Sequence, residues 1–456
     1  MVADTTNSYN RLWVDRPQTL AVISDFFIFM TGGMNLAVSV GWSKSEYTLQ
    51  FRICWYIGVA IGAFIAPPLV QWKRKRLFII LPNLLVAASA IVAVSGYQYL
   101  GVLIASRYLD GICIGLATVS FITHVSEIAS EHRRGFCLAF EQIGLAIGVY
   151  VQMLYTALWI SGTNFSPNLL MGLCNLFFGC VAAFMTYTQI DSPIFHMRKG
   201  DEPSAVACVN ILYQPSILTE NKQAAITEIK MYVSVNNTMS VGESLLKGFV
   251  PLIKMIIYRS MLSFIIAWPI KLALNDGGLV SAPNVINWHP VLYGFLGLLG
   301  PVVGSTTLGG IGRKWLSLCA LAVSGGMTLG VGIVYRNESN MTNAAQMSIV
   351  CALLMIAQFL GGIFAPSTTV YLGEAFPLKV KPYFIGLCII VQNIVGLVII
   401  CTFDYSWHNE YVFCITVGVI MIFFAIVFCF MLPETRKTKL REAQEQFEYF
   451  FNFKIS

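Results

Sequence analysis

Apolar blocks too long and too uninterrupted for a water-soluble core recur along this chain, and they constrain its fold more than any single motif. Residues 399–432, for instance, are broken only by the short polar stretch 404–410. A helix needs roughly 20 apolar residues to cross the hydrocarbon of a bilayer. Only 11% of the residues are charged while 56% are hydrophobic; an average soluble protein is about 25% charged. So few ionic side chains cannot clothe a soluble surface of this size, and lipid must be the solvent for most of the exterior.

Twelve spans are predicted, near 20–43, 51–71, 77–96, 99–124, 136–160, 168–190, 259–279, 288–309, 315–335, 347–371, 383–403 and 411–432. With that register Lys73 to Arg76, Arg133 and Arg134, Arg313 and Lys314, and Lys379 and Lys381 all fall in loops on one side, together with Arg11, Arg16 and the basic tail after Glu434. Cytosolic loops are enriched in lysine and arginine, so this side is expected to be cytosolic, with both termini on it. The sequons Asn337-Glu-Ser339 and Asn340-Met-Thr342 then fall outside, as N-glycosylation requires. A third, at Asn164, is also outside but is followed by Pro167. Asn236-Asn-Thr238 lies in the long hydrophilic stretch and reads as a chance match.

That stretch sets the organisation: 1–190 as an N-terminal six-helix half, 191–258 as a cytosolic linker, 259–432 as a second six-helix half and 433–456 as a cytosolic tail. The +6 net charge is confined to particular loops, so it speaks to membrane orientation, and no nucleic-acid partner is expected. The polar first 18 residues, with Arg11 and Arg16, are unlike a cleavable signal peptide. Twelve cysteines are scattered singly with no CxxC pair, and the five histidines form no HExxH or catalytic pairing. Neither a metal, a cofactor nor an enzymatic activity is expected.

Each half repeats one arrangement. Glu127 at the end of span four is followed by Arg134, and Glu374 at the end of span ten by Lys381, with the same spacing. Such an echo is what parallel repeats leave, and it marks a candidate cytosolic gate in which acid and base bond in one state of the carrier and part in the other. These residues also carry a resemblance. Ser-Arg107-Tyr-Leu-Asp-Gly111 through Gly115, Ser-Glu127-Ile-Ala, Arg134-Gly135, Asp191-Ser192-Pro193, Gly312-Arg313-Lys314, Gly373-Glu374-Ala-Phe-Pro377 and Pro433-Glu434-Thr435-Arg436-Lys437 resemble, in the same order, the signatures of sugar porters of the major facilitator superfamily. The short first outer loop after Gly41-Trp42-Ser43 is similar to that of the insect trehalose-carrier branch. The resemblance implies an all-α membrane protein of about twelve transmembrane helices in two six-helix pseudo-repeat halves, and gating roles for Arg107, Glu127, Arg134, Arg313, Glu374 and Lys381. Departures are visible too: where the family has an acid before its GRR-type loops, this chain has Gln71 and Gly309.

Polar groups at membrane depth are costly and therefore informative. The resemblance places Gln142 where a sugar hydroxyl is bound and Gln392 and Asn393 near another sugar contact; an amide both donates and accepts, as a hydroxyl requires. Lys271, twelve residues past Arg259, is expected about 18 Å along the helix and near the bilayer middle, with a bend at Pro269. It would favour an anionic or strongly polar solute, or pair with Asp25. Arg107 and Asp110, three apart on one helix, would neutralise each other. Asn35 stands where proton-coupled relatives carry an aspartate, and an amide cannot titrate, which favours downhill transport. Family positions for a span-eight asparagine and a span-ten tryptophan hold Gly297 and Thr369.

The expected function is therefore transport of a sugar or similar small polar solute across a membrane, by alternating access and facilitated diffusion, in a multi-pass plasma-membrane glycoprotein whose partners are that solute and lipid. An organic-ion carrier of the same superfamily, favoured by Lys271, and a non-transporting receptor or sensor stay open.

Overall fold

The computed structural model describes residues 16–43, 48–72, 77–159, 166–213, 220–282 and 288–452. The basic loop at Lys73 to Arg76 and the sequon at Asn164 lie outside them. The described residues form helices and no strand, as lipid demands of a backbone that must satisfy its own polar groups. The first half comprises α1 (Ile23–Ser39), α2 (Leu49–Trp72), α3 (Leu77–Ser95), α4 (Leu100–Ile128), α5 (Arg134–Leu158) and α6 (Pro167–Met185). A central segment follows, with α7 (Pro193–Arg198), α8 (Glu202–Leu212) and α9 (Glu220–Thr238). The second half is α10 (Val241–Ile265), α11 (Trp268–Ser281), α12 (Trp288–Thr307), α13 (Lys314–Tyr335), α14 (Ala344–Glu374), α15 (Lys381–Thr402) and α16 (Trp407–Met431); α17 (Leu440–Glu448) lies in the tail. Among the described residues eleven stretches are long and apolar enough to cross a membrane. The apolar α3 packs among them as a twelfth, and α10 with α11 forms one broken crossing.

Polar residues mark where the helices begin. Ser240 accepts the Glu243 amide at 3.0 Å to start α10, Asn343 accepts the Ala345 amide at 3.0 Å to start α14, and Ser406 accepts the Asn409 amide at 3.2 Å to start α16. Pro269 stands in the first turn of α11, and the chain breaks just before it at Ile266 and Ala267. This is the bend expected there, because proline bars a helical partner upstream.

Packing repeats with the sequence. In the first half α1 lies on α5, α2 on α4 and α3 on α6; in the second, α10 lies on α15, α12 on α14 and α13 on α16. The halves meet through α2 against α15 and α5 against α12, which exchange under the same correspondence. Parallel repeats related about the membrane normal have this property. Close approach within a half relies on small residues. Gly58 and Gly62 of α2 face Gly111 and Gly115 of α4, and a Cβ added at any of the four would run into a backbone carbonyl of the facing helix. The motif glycines of span four are thus a helix-packing device.

Candidate functional site

Two latches and a cavity lie along the interface between the halves. On the face bearing the basic loops, Arg134 of α5 reaches across to Glu374 of α14 at 3.1 Å, and Arg313 bonds both Glu374 oxygens at 2.6 Å. All three side chains are buried. Three of the six expected gate residues, Arg134, Arg313 and Glu374, therefore meet here, with the acid of one half shared by the bases of both. Glu127 accepts a hydrogen bond from Ser192, placing the Asp191-Ser192-Pro193 motif against the end of span four. Lys381 is fully buried at the start of α15. Glu434 of the tail motif accepts the backbone amides of Arg313 and Lys314 at 2.9 to 3.0 Å. Gly312 is needed beside it: its φ is +119, and a Cβ there would stand 2.9 Å from the Glu434 carboxylate. Gln71, where the family has an acid, donates across the interface to the Lys379 carbonyl.

The central segment and tail clasp this closed face. Asn236 accepts the Leu378 amide at 3.0 Å, and Glu228 pairs with Lys439 at 3.0 Å. The Asn236 side chain is buried and serves this contact. Outside the membrane spans, the Glu228 carboxylate raises the Lys439 pKa above its usual value, by hydrogen bond and charge.

Arg107 is not part of that latch. It sits toward the opposite end of α4, where it donates to Asn35 Oδ1 at 2.8 Å, Ser39 Oγ at 2.6 Å and the Phe51 carbonyl at 3.1 Å. Asn35 in turn donates to Asp110 at 3.0 Å, and Trp55 Nε1 donates to the same oxygen at 3.1 Å. Arg107 and Asp110 are thus joined through Asn35, and the network ties α1, α2 and α4 into one body. Asn35 does not line the cavity; its neighbour Leu36 does. Both ends of the amide serve the helix bundle.

The cavity is walled by both halves. Trp55, Tyr56, Glu141 and Gln142 line it from the first half, and Arg259, Ser263, Gln358, Gln392 and Asn393 from the second. Gln142 Nε2 donates to Thr369 Oγ1 at 3.3 Å, and Asn393 is tied to the Ile389 carbonyl at 2.8 Å. Three of the five expected substrate contacts, Gln142, Gln392 and Asn393, therefore converge here.

Its floor is charged, which the sequence reading missed. Arg259 and Glu141 form an ion pair across the halves and are 2% and 1% exposed. Arg259 also donates from Nε to Gln392 Oε1 at 2.7 Å and from Nη1 to Thr368 and Thr369 at 2.9 and 2.8 Å. Thr369, at the family's tryptophan position, bonds Glu141 as well. Gln358 fills the space beside Gly297: a Cβ on Gly297 would stand 2.7 Å from its amide nitrogen, and Tyr293 donates to its oxygen at 2.8 Å.

Lys271 lies elsewhere. α10 begins at Val241, well before the expected start of span seven at 259. Arg259 is therefore the mid-depth cation, and Lys271 falls beyond the break. There its ammonium lies 5.9 Å from the Trp42 ring, and Arg52 stacks on Trp268 at 3.8 Å. These two contacts, with Trp42 6.4 Å from Tyr293, join the halves on the side away from the latch. The expected Asp25 partner is remote from this rim, where Asp25 would have met Lys271, and instead accepts from Gln189 at 2.9 Å. Of the sequons, Asn337 is exposed, while Asn340 donates its side-chain nitrogen to the Val334 carbonyl at 2.7 Å.

Residues 19–447 match the family described as "Sugar (and other) transporter". The glucose transporter GlcP of Staphylococcus epidermidis is 25% identical over 424 residues, covering 85% of this chain and 86% of that protein. The glucose transport protein of a Synechocystis strain is 25% identical over 386 residues, covering 76% of this chain and 77% of that one. Among solved structures, the major facilitator proton:xylose symporter XylE bound to 6-bromo-6-deoxy-D-glucose superposes with a TM-score of 0.75 at 17% identity, over 96% of this chain and all of that one (100%).

Proposed function

The chain belongs to the sugar (and other) transporter family, and from that premise we propose that it moves an uncharged sugar down its gradient by facilitated diffusion, with a site that opens to each side in turn. It is an integral, multi-pass membrane carrier and not an enzyme. The observation that carries the substrate reading is the lining of the interhelical cavity. Amides from both halves, Gln142, Gln392 and Asn393, face one space in which the only charges among the described lining residues, Glu141 and Arg259, cancel. Amides suit hydroxyls because they donate and accept at once, and aromatic faces at Trp55 and Tyr56 suit the apolar face of a sugar ring. The two relatives above are named for glucose, which supports a hexose-like solute.

Closure at Arg134, Glu374 and Gln71 and the aromatic contacts around Trp42 and Trp268 support a rocking motion that breaks one set while the other holds. Lys271 stands outside the cavity, so the feature that favoured an organic ion gives that alternative no support at the site. Asn35 carries no titratable proton at the position where coupled relatives have an acid, which supports uncoupled transport. We place the carrier in the plasma membrane with both termini cytosolic and an N-glycan on the loop after α13. The test is counterflow of labelled D-glucose and a panel of neutral hexoses and disaccharides in proteoliposomes, with and without a pH gradient. Saturable counterflow insensitive to the gradient is expected. Accumulation driven by the gradient overturns the uncoupled reading, and binding without flux overturns transport.

A further inference from the structure

The floor of the cavity is more elaborate than hydroxyl recognition needs. Arg259 is held at all three of its nitrogens: Nε by Gln392, Nη1 by Thr368, Thr369 and Glu141, and Nη2 by Glu141. Three of those four partners come from its own half, so the guanidinium stays oriented without Glu141. Only the carboxylate comes from the facing half, and it occupies the fork a guanidinium offers to a carboxylate. Without it, a fixed cation would face a gap shaped for one carboxylate at the base of a cavity lined with amides.

We propose that Glu141 is the specificity-determining residue of this carrier: it acts as a built-in carboxylate on Arg259, filling the place a sugar acid would use, so that neutral sugars are accepted and their carboxylated counterparts refused. A uronic acid entering the site would set a second carboxylate against one guanidinium already satisfied, or would expel Glu141 from its ion pair into a buried space with no cation to meet it. Both are unfavourable. The inference rests on the reading of this cavity as the sugar site.

The test uses the full chain in proteoliposomes, with labelled D-glucose as probe and D-glucuronate or unlabelled D-glucose as competitor. In the parent, glucuronate is expected to compete poorly. In Glu141→Ala its potency relative to glucose should rise at least about tenfold, the effect of one hydrogen-bonded charge contact. In Glu141→Asp the parent ratio should persist, and in the double variant Glu141→Ala/Arg259→Gln the gain should vanish. An unchanged ratio in Glu141→Ala overturns the proposal. Should that variant not reach the membrane, Glu141→Ser, which also vacates the place on Arg259, is read instead, where relaxed discrimination supports the proposal and parent-like discrimination overturns it. A parent chain that binds no sugar of the panel sinks the sugar-site reading itself, an outcome distinct from a parent that carries sugar with selectivity indifferent to Glu141.

Discussion

Gln142 and Gln392 line the cavity while bonded to neighbours across or along its floor, so in the proposed sugar site each would exchange a protein partner for a sugar hydroxyl. Replacing either by alanine removes a hydrogen bond to a neutral group, worth about 0.5–1.5 kcal/mol. The concentration for half-maximal sugar uptake is expected to rise roughly three- to tenfold in each variant. Uptake curves that superpose on the parent for both would place the solute elsewhere. On the opposite face, the two adjoining sequons differ in access. The Asn337 side chain is exposed, whereas the Asn340 nitrogen is committed to the Val334 carbonyl. We expect Asn337→Gln, and not Asn340→Gln, to abolish the gel shift produced by deglycosylation of the chain made in a secretory pathway.

At the scale of elements, the closed face depends on one buried carboxylate joining α5 to the second half. Glu374 holds Arg134 and Arg313 together. Removing one partner of a buried ionic cluster leaves charge uncompensated and costs about 3–5 kcal/mol. Glu374→Gln is therefore expected to favour the state open on this face. The check is the rate at which a membrane-impermeant maleimide applied from the inner side labels a cysteine placed at Ala365 in the cavity wall, measured above the chain without that cysteine. A rise of about tenfold or more is expected, and a rate equal to the parent would show that other contacts close the face. Between α2 and α4 the constraint is steric. Gly115→Leu would drive a side chain into the Val59 carbonyl region, and overpacking costs about 1–3 kcal/mol or more. A lower midpoint of thermal unfolding in detergent is expected, with parent-like stability the contrary result.

At the scale of the whole molecule, six packed helix pairs and two exchanged interfaces obey one correspondence between the halves. On the proposed rocking motion the mobile unit is then a half and not a helix, and an even number of crossings would return the chain to the side from which it entered. Tags at the two termini are expected to show the same protease sensitivity in sealed vesicles; protection of one and cleavage of the other would break the pseudo-symmetric reading. The central segment and the tail reinforce this arrangement, since Asn236 and Glu228 of α9 grip the loop before α15 and the region of α17. Ser192 at the start of the central segment bonds Glu127 of the first half, so both halves are tied to one platform on the latch side.

Lipid immersion, the number of crossings and the repeat of acid and base at the ends of spans four and ten follow from the sequence alone, because hydropathy and motif spacing are local quantities that a bilayer reads directly. The amides Gln142, Gln392 and Asn393 are singled out by another route, because the resemblance of the motifs to those of sugar porters implies sugar contacts there. The depth of span seven is not legible. The apolar run that becomes α10 carries Lys254 and Arg259, and a charge at that point reads as a boundary unless a carboxylate on another helix is known to meet it. Only the tertiary structure brings Glu141 to Arg259, moves Lys271 to the outer rim and commits Asn35 to the bundle, since each outcome depends on which side chains from distant segments neutralise one another in a medium of low dielectric.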